Sequence, residues 1–159
     1  MSQKLELIKV LNEDTAIEIR EHCSNLDNAR WIHRSELKFP RAVGNSSCRY
    51  DFCGDSQMPN NLKDMLVAIA PKFDEFFLSE VGINRYQVGD FIGKHRDKDL
   101  YRMNVVVSLQ ENGDGLMIDD EHRFIEDRLG QGICIKGVGP VHSVPPVNQI
   151  RYTLIYLYE

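Results

Sequence analysis

The chain has 159 residues, 42% of them hydrophobic and 27% charged, the balance of one folded globular domain and not of a disordered or fibrous chain. A formal net charge of −5 excludes a global positive field that would draw nucleic-acid phosphates or an anionic membrane, and leaves only local basic patches for that purpose. No stretch reaches the ~20 apolar residues of a membrane span, and Met1 to Val10 lacks the apolar run of a secretory signal, so a cytoplasmic protein is expected.

At about this length a chain buries roughly two-thirds of its unfolded surface, enough for a core without metal or disulfide staples. Cys23, Cys48, Cys53 and Cys134 fall at irregular spacings with no Cys-x-x-Cys pair. They read as free thiols, and Cys48 with Cys53 alone is a weak zinc signal.

In chain order, Asn12-Glu13-Asp14-Thr15 offers capping residues for a first helix ending near Asn25. Residues 27–60, rich in Asn, Ser, Gly, Pro, Arg and aromatics without a period, read as a long loop region that covers a substrate or is disordered. A second helix is expected from about Asn61, with Leu62, Met65, Leu66, Ile69, Phe73, Phe76 and Phe77 near helical spacing and Pro71 kinking or splitting it.

From Ile83 the texture changes to short β-type runs: 83–88, 103–109, 116–118, 133–136, 141–144 and 150–158. Breaks fall at Gly89-Asp90, Asn112-Gly113, Gly130, Gly137 to Pro140 and Pro145-Pro146. Many short strands without intervening helices indicate a sandwich or barrel. One domain, 1–159, is expected, with a helical and loop part over 1–82 and a catalytic β core over 83–159.

The chemistry concentrates in this second half. Residues i and i+2 of an extended segment point the same way, so His95 and Asp97 can converge on one ion while Arg96 points elsewhere. A carboxylate and two imidazoles form the facial triad that leaves three octahedral positions open on Fe(II). Of the other four histidines, His142 lies within the downstream strands, just before the Arg151 strand. If the two strands pair as a hairpin, Arg151 and Thr153, which share one face, stand beside the metal pocket. Taken alone, Arg151 reads more simply as an arginine reaching solvent or pairing with Asp or Glu, and His142 as a structural histidine; a buried arginine needs a carboxylate partner in any case.

The ordered series resembles the prolyl 4-hydroxylase-like branch of the Fe(II)/2-oxoglutarate dioxygenases. The likeness spans about Ile83 to Tyr158: Tyr86, the Gly89-Asp90 turn, His95-Arg96-Asp97, the strand Met103 to Leu109, Gly115-Leu116, His142 to Val147, and Arg151-Tyr152-Thr153-Leu154. It implies a mainly β chain with N-terminal helices, folded as a double-stranded β-helix or jelly-roll barrel. It also implies Fe(II) held by His95, Asp97 and His142, and the distal carboxylate of 2-oxoglutarate held by Arg151, with Tyr86 and Thr153 in the co-substrate pocket. The implied activity consumes O2 and 2-oxoglutarate, releases succinate and CO2, and hydroxylates a peptide or protein residue, prolyl by family likeness, with ascorbate as an optional accessory reductant.

Two features depart from the family. Val107-Ser108 stands where several relatives have a tyrosine that helps hold the co-substrate, and the segment 111–128 is short and acidic. Rival readings are the same chemistry on a free amino acid, small metabolite or nucleobase, and a non-catalytic metal- or ligand-binding jelly roll. For the nucleobase reading, Arg30, Arg34, Lys38 and Arg41 beside Trp31 and Phe39 offer an anion and stacking surface.

Other motifs fit worse. A protein-kinase catalytic loop would need Asn at 102, where this chain has Arg. Gln110-x-Asn112-x-Asp114-Gly115 lacks the first Asp and the preceding helix of a calcium loop and reads as a hairpin turn. Gly137-Val138-Gly139 lacks the strand-helix setting of a dinucleotide loop, and Cys134 in an apolar run reads as core.

Overall fold

The computed structural model describes residues 5–38, 41–97 and 100–159. Its elements are β1 (Leu5–Lys9), α1 (Glu13–Ser24), a 3-10 turn (Asn28–Arg30), β2 (Ile32–Arg34), β3 (Cys48–Cys53), α2 (Asn60–Ala68), β4 (Leu78–Tyr86) and β5 (Phe91–His95). There follow β6 (Met103–Ser108), β7 (Gly115–Ile118), a second 3-10 turn (Asp119–Glu121), β8 (Arg123–Glu126), β9 (Gln131–Lys136), β10 (His142–Val144) and β11 (Arg151–Tyr158).

One curled antiparallel sheet contains every strand, in the order β1-β9-β6-β11-β4-β3-β5-β10-β7-β8, with β2 added on β3. The curl turns on β3. Its residues Asp51–Cys53 pair with β4, while Cys48 and Arg49 pair with β5, so one strand belongs to both layers of the jelly roll.

Alternation along β11 explains the two interiors. Tyr152, Leu154, Tyr156 and Tyr158 enter the larger core with Ala16, Ile19 and Cys23 of α1 and Leu62 and Leu66 of α2. The alternate residues Arg151, Ile155 and Leu157 line a cavity between the layers. The buried tyrosine hydroxyls are satisfied: Tyr156 donates to the Leu66 carbonyl and Tyr158 to that of Pro71.

Helix α1 starts where its capping residues place it. The Asn12 side chain accepts from the Thr15 amide at 2.8 Å, and Glu13 and Asp14 complement the positive end of the helix. Helix α2 stops at Ala68 instead of reaching Phe77. The residue before a proline is driven out of the helical region, and beyond Pro71 the aromatic residues pack differently, Phe73 standing edge-on to Tyr158 at 5.1 Å.

Several strands differ from expectation. β4 begins at Leu78, five residues before the expected Ile83, because Phe77 already exchanges backbone hydrogen bonds with Glu159. Residues 27–60 are not a long loop: they carry β2 and β3, whose Asp51 is buried but paired with Arg85 and His33. β5 and β8 escape the alternation test because Gly93 and Lys94 interrupt one and Arg123 and Glu126 flank the short other. The hairpin expected between the His142 and Arg151 strands is also absent: β10 pairs with β5 and β7, and β11 with β4 and β6.

Among the described residues no helix is long and apolar enough to cross a membrane, and the four cysteines are buried free thiols. Leu154 is fully buried at the junction of sheet and helices. Leu154→Ala is expected to lower the unfolding free energy by about 2–5 kcal/mol, read as a shifted urea midpoint with an unchanged slope.

Candidate metal centre and its cavity

The β5–β10 ladder sets His142 directly across from His95, with ring centroids 4.3 Å apart. Asp97 follows two residues after His95, just beyond the end of β5, and its amide donates to the Val138 carbonyl at 3.1 Å. That bond ties the first ligand segment to the Gly137–Pro140 loop leading into the second. Candidate ligand atoms of His95, Asp97 and His142 all lie within 4.8 Å of one another, and this is the one such cluster among the described residues.

Each imidazole is oriented by its own backbone. His95 Nδ1 sits 2.8 Å from the Gly93 carbonyl and His142 Nδ1 2.9 Å from that of Pro140. A carbonyl only accepts, so each Nδ1 is the donor, and both Nε2 atoms face the centre. His142 Nε2 lies 3.2 Å from Asp97 Oδ1, and Asn104 Nδ2 donates weakly to Asp97 Oδ2 at 3.4 Å.

The electrostatics follow from burial and proximity. Burial and then the charge of His142 push the His95 pKa down. For His142 burial acts the same way, but the hydrogen bond and charge of Asp97 outweigh it and the net shift is upward. Burial alone would raise Asp97, yet its two histidine neighbours bring it below the usual carboxylate range. The cluster is a cation-seeking donor set of two imidazole nitrogens and one carboxylate.

Arg151 is almost wholly buried, and the structure gives it a partner that the sequence reading left open. Its Nε and Nη2 donate to Asp127 Oδ2 and Oδ1 at 2.7 and 3.0 Å. Asp127, equally buried, also accepts from Ser108 Oγ at 2.9 Å and Gln110 Nε2 at 3.0 Å. Four donors satisfy that carboxylate, and Gln110 Oε1 in turn accepts the Tyr152 amide at 2.8 Å. Burial opposes the arginine's charge, but Asp127 outweighs it and holds the pKa above its ordinary value.

This pairing does not exhaust the guanidinium. Two of its five N–H donors go to Asp127; the two on Nη1 and the second on Nη2 remain on an adjacent edge. Arg151 lines the same cavity, of about 250 Å³, as His95, Asp97 and His142. The guanidinium carbon lies 4.9 Å from the Tyr86 ring centroid, and Tyr86 stacks on Tyr50 at 5.7 Å. Tyr86 also lines the cavity, and burial pushes its pKa up to about 12. Thr153 is buried, with an Oγ1 that has no hydrogen-bond partner among the described residues, but it is not among the residues forming the cavity wall.

The sequence reading missed Asp127, Ser108, Gln110 and Asn104. Asp127 belongs to the acidic segment after β7 and carries no local signal, whereas Asn104 and Ser108 are set on the inner face by alternation along β6. Val107 faces the larger core and Ser108 is engaged by Asp127. The basic cluster divides: Arg34 and Arg41 line the cavity, Arg30 bonds the Gln57 carbonyl, Lys38 is exposed and Trp31 joins the larger core. Phe39 lies outside the described residues.

No protein-family model and no curated protein matches the sequence. Solved structures do match the fold. An oxidoreductase of the 2OG-Fe(II) oxygenase family from Burkholderia pseudomallei superposes with a TM-score of 0.69 at 15% identity, over 98% of this chain and 85% of that one. A Pseudomonas putida prolyl-4-hydroxylase gives 0.67 at 16%, over 98% and 92%. The non-heme alpha-ketoglutarate-dependent epimerase SnoN of nogalamycin biosynthesis gives 0.66 at 12%, over 99% and 78%. The chain has the jelly-roll fold of the Fe(II)/2-oxoglutarate oxygenases.

Removing one partner of a buried ion pair strands the other. Asp127→Asn is therefore expected to lower the unfolding free energy by about 3–5 kcal/mol, with part of the loss recovered in Asp127→Asn/Arg151→Met. Chemical denaturation of the three proteins checks both statements.

Proposed function

We propose that this chain is an Fe(II)- and 2-oxoglutarate-dependent oxygenase that hydroxylates a peptide or protein residue, prolyl by likeness. The observation that carries the reading is one cavity lined by two imidazoles, a carboxylate and a buried arginine that Asp127 engages only through Nε and Nη2. A metal needs the first three, and an acid that also chelates the metal needs the fourth.

The residues fit the implied groups. His95, Asp97 and His142 would hold the iron; Arg151 would take the distal carboxylate of 2-oxoglutarate on its Nη1/Nη2 edge, with Tyr86 beside it and Thr153 Oγ1 as an unspent hydroxyl on the same strand face. When bound, iron and 2-oxoglutarate supply the oxidising power, drawn from O2, with succinate and CO2 as by-products. The chain keeps both imidazoles in one tautomer through the Gly93 and Pro140 carbonyls, steadies Asp97 through Asn104, and immobilises Arg151 through Asp127. Ile155, Leu157, Val106 and Leu116 supply apolar wall that excludes water.

Peptide hydroxylation draws support from the prolyl-4-hydroxylase among the matching folds, and the small cavity favours a single side chain entering from outside. The same small volume supports a free amino acid or small metabolite as the second reading. A non-catalytic binding jelly roll gains one argument here, since Asp127 satisfies Arg151 without any co-substrate. Co-substrate binding separates that reading from the oxygenase.

Anaerobic Fe(II) with 2-oxoglutarate is expected to give a weak visible charge-transfer band that His95→Ala abolishes; a folded protein without the band refutes the oxygenase. Arg151→Lys, which keeps a cation for Asp127 but loses the fork, should raise the KM for 2-oxoglutarate by about 10-fold or more while iron affinity holds. Succinate release rising with proline peptides and not with oligonucleotides supports the peptide substrate, and the reverse excludes it.

A further inference from the structure

The cavity wall carries two arginines that neither the metal centre nor the Arg151 site employs. Arg34 is the last residue of β2, paired with Tyr50 on β3, and Arg41 precedes Ala42, which bridges to His95. The Arg41 carbonyl accepts the Arg96 amide at 2.9 Å, fixing its backbone beside the first metal-ligand segment. Both side chains line the cavity.

Their polar atoms are underused. The Nε of Arg34 and the Nε of Arg41 are each enclosed without a hydrogen-bond partner. Among the described residues neither guanidinium has a carboxylate partner, whereas Arg49, Arg85, Arg96, Arg128 and Arg151 all do. Arg34 lies 4.8 Å over the Phe52 ring, which holds its plane in place. Both cations also converge on Tyr50: burial raises its pKa, and the charges of Arg34 and Arg41 oppose that rise. Arg41 also hydrogen-bonds Tyr50, but two partly buried cations on one wall with no carboxylate partner among the described residues leave a charge penalty that an anion between them removes.

We propose that Arg34 and Arg41 form a substrate-side carboxylate clamp, so that the molecule oxidised is a carboxylic acid: a peptide with a carboxylate close to the reacting carbon, or a small free acid. This rests on the oxygenase reading and narrows its substrate. The Glu80 carboxylate on the same cavity wall accepts from the Tyr101 hydroxyl and makes no ion pair with either arginine among the described residues. Two arginines inside a cavity of about 250 Å³ suit one compact anion. They do not form the extended basic track that a nucleic-acid backbone requires.

The test uses the full chain loaded with Zn(II), which does not turn over, and saturated with 2-oxoglutarate. Ligand-observed NMR measures binding of N-acetyl proline, lysine, asparagine and leucine, each as the free acid and as the amide. At least one acid should bind about 10-fold or more tightly than its amide, and added salt should weaken the acid without weakening the amide. Arg34→Gln and Arg41→Gln should each shrink the preference while leaving 2-oxoglutarate affinity unchanged. Equal binding of acids and amides, binding of neither, preference for a single-stranded oligonucleotide, or loss of 2-oxoglutarate affinity in the variants overturns the clamp. Should a variant fail to fold, the salt dependence of the unaltered chain decides. Absence of the Fe(II)–2-oxoglutarate band defeats the oxygenase reading itself, whereas an intact band without acid preference defeats only the clamp.

Discussion

The pairing of β5 with β10 is the constraint on which the rest of the site depends. A two-strand ladder fixes the separation of directly opposed residues, so placing His142 opposite His95 brings two imidazoles together. The tautomers then follow from geometry, because each Nδ1 meets a carbonyl only two residues back in the chain. Asp97 needs one further bond, to Val138, to enter the same space. Backbone hydrogen bonds therefore position the metal-seeking atoms, and side-chain rotamers have little left to decide.

The second anchor is the Arg151–Asp127 pair across the barrel. A lone buried arginine would be costly, and a cavity that relied on its co-substrate to neutralise that charge would fold poorly without it. Asp127, held by Ser108 and Gln110, removes that dependence. It also confines the guanidinium to one orientation with the outer edge unengaged, which is preorganisation in the ordinary sense: the ordering cost is met in folding and not in binding. Arg151 can thus be both a structural residue and the proposed carboxylate site, and the two roles use different N–H groups of the same side chain.

Local pattern made some of this legible in the sequence and long-range pairing hid the rest. The first helix was readable because Asn12 caps it in place, and β11 because it is a β-branched and aromatic run bounded by turn residues. The candidate ligands and Arg151 were readable as an ordered series more than as individual motifs. Their mutual placement was only half readable: convergence of His95, Asp97 and His142 was expected, but Arg151 was expected beside them through a β10–β11 hairpin that does not form, since β3 turns the sheet and sends the two strands to opposite layers. β3 itself was hidden because a corner strand meets partners on both sides, which blurs its alternation, and because Asp51 looks like a loop residue until Arg85 and His33 are seen beside it. Asp127 lies 24 residues before Arg151 in a polar segment, where nothing local distinguishes it from the carboxylates that do not reach Arg151.

Folding residues 27–60 into β2, β3 and the short bridge at Ala42 also changes what that region contributes. A loose loop would present Arg34 and Arg41 to solvent, where a guanidinium is well hydrated and exerts little selectivity. Bound to the barrel edge, the same residues become cavity wall, with their Nε atoms withdrawn from water and the charge of Arg41 felt by both metal-seeking imidazoles. The cavity then has cationic groups of two kinds, one neutralised by its own aspartate and one pair proposed to meet an anion from outside. Because Arg151 is already compensated, an incoming acid meets the greater unbalanced charge at Arg34 and Arg41. That asymmetry gives the cavity a physical means of keeping two carboxylates, those of co-substrate and substrate, in separate places.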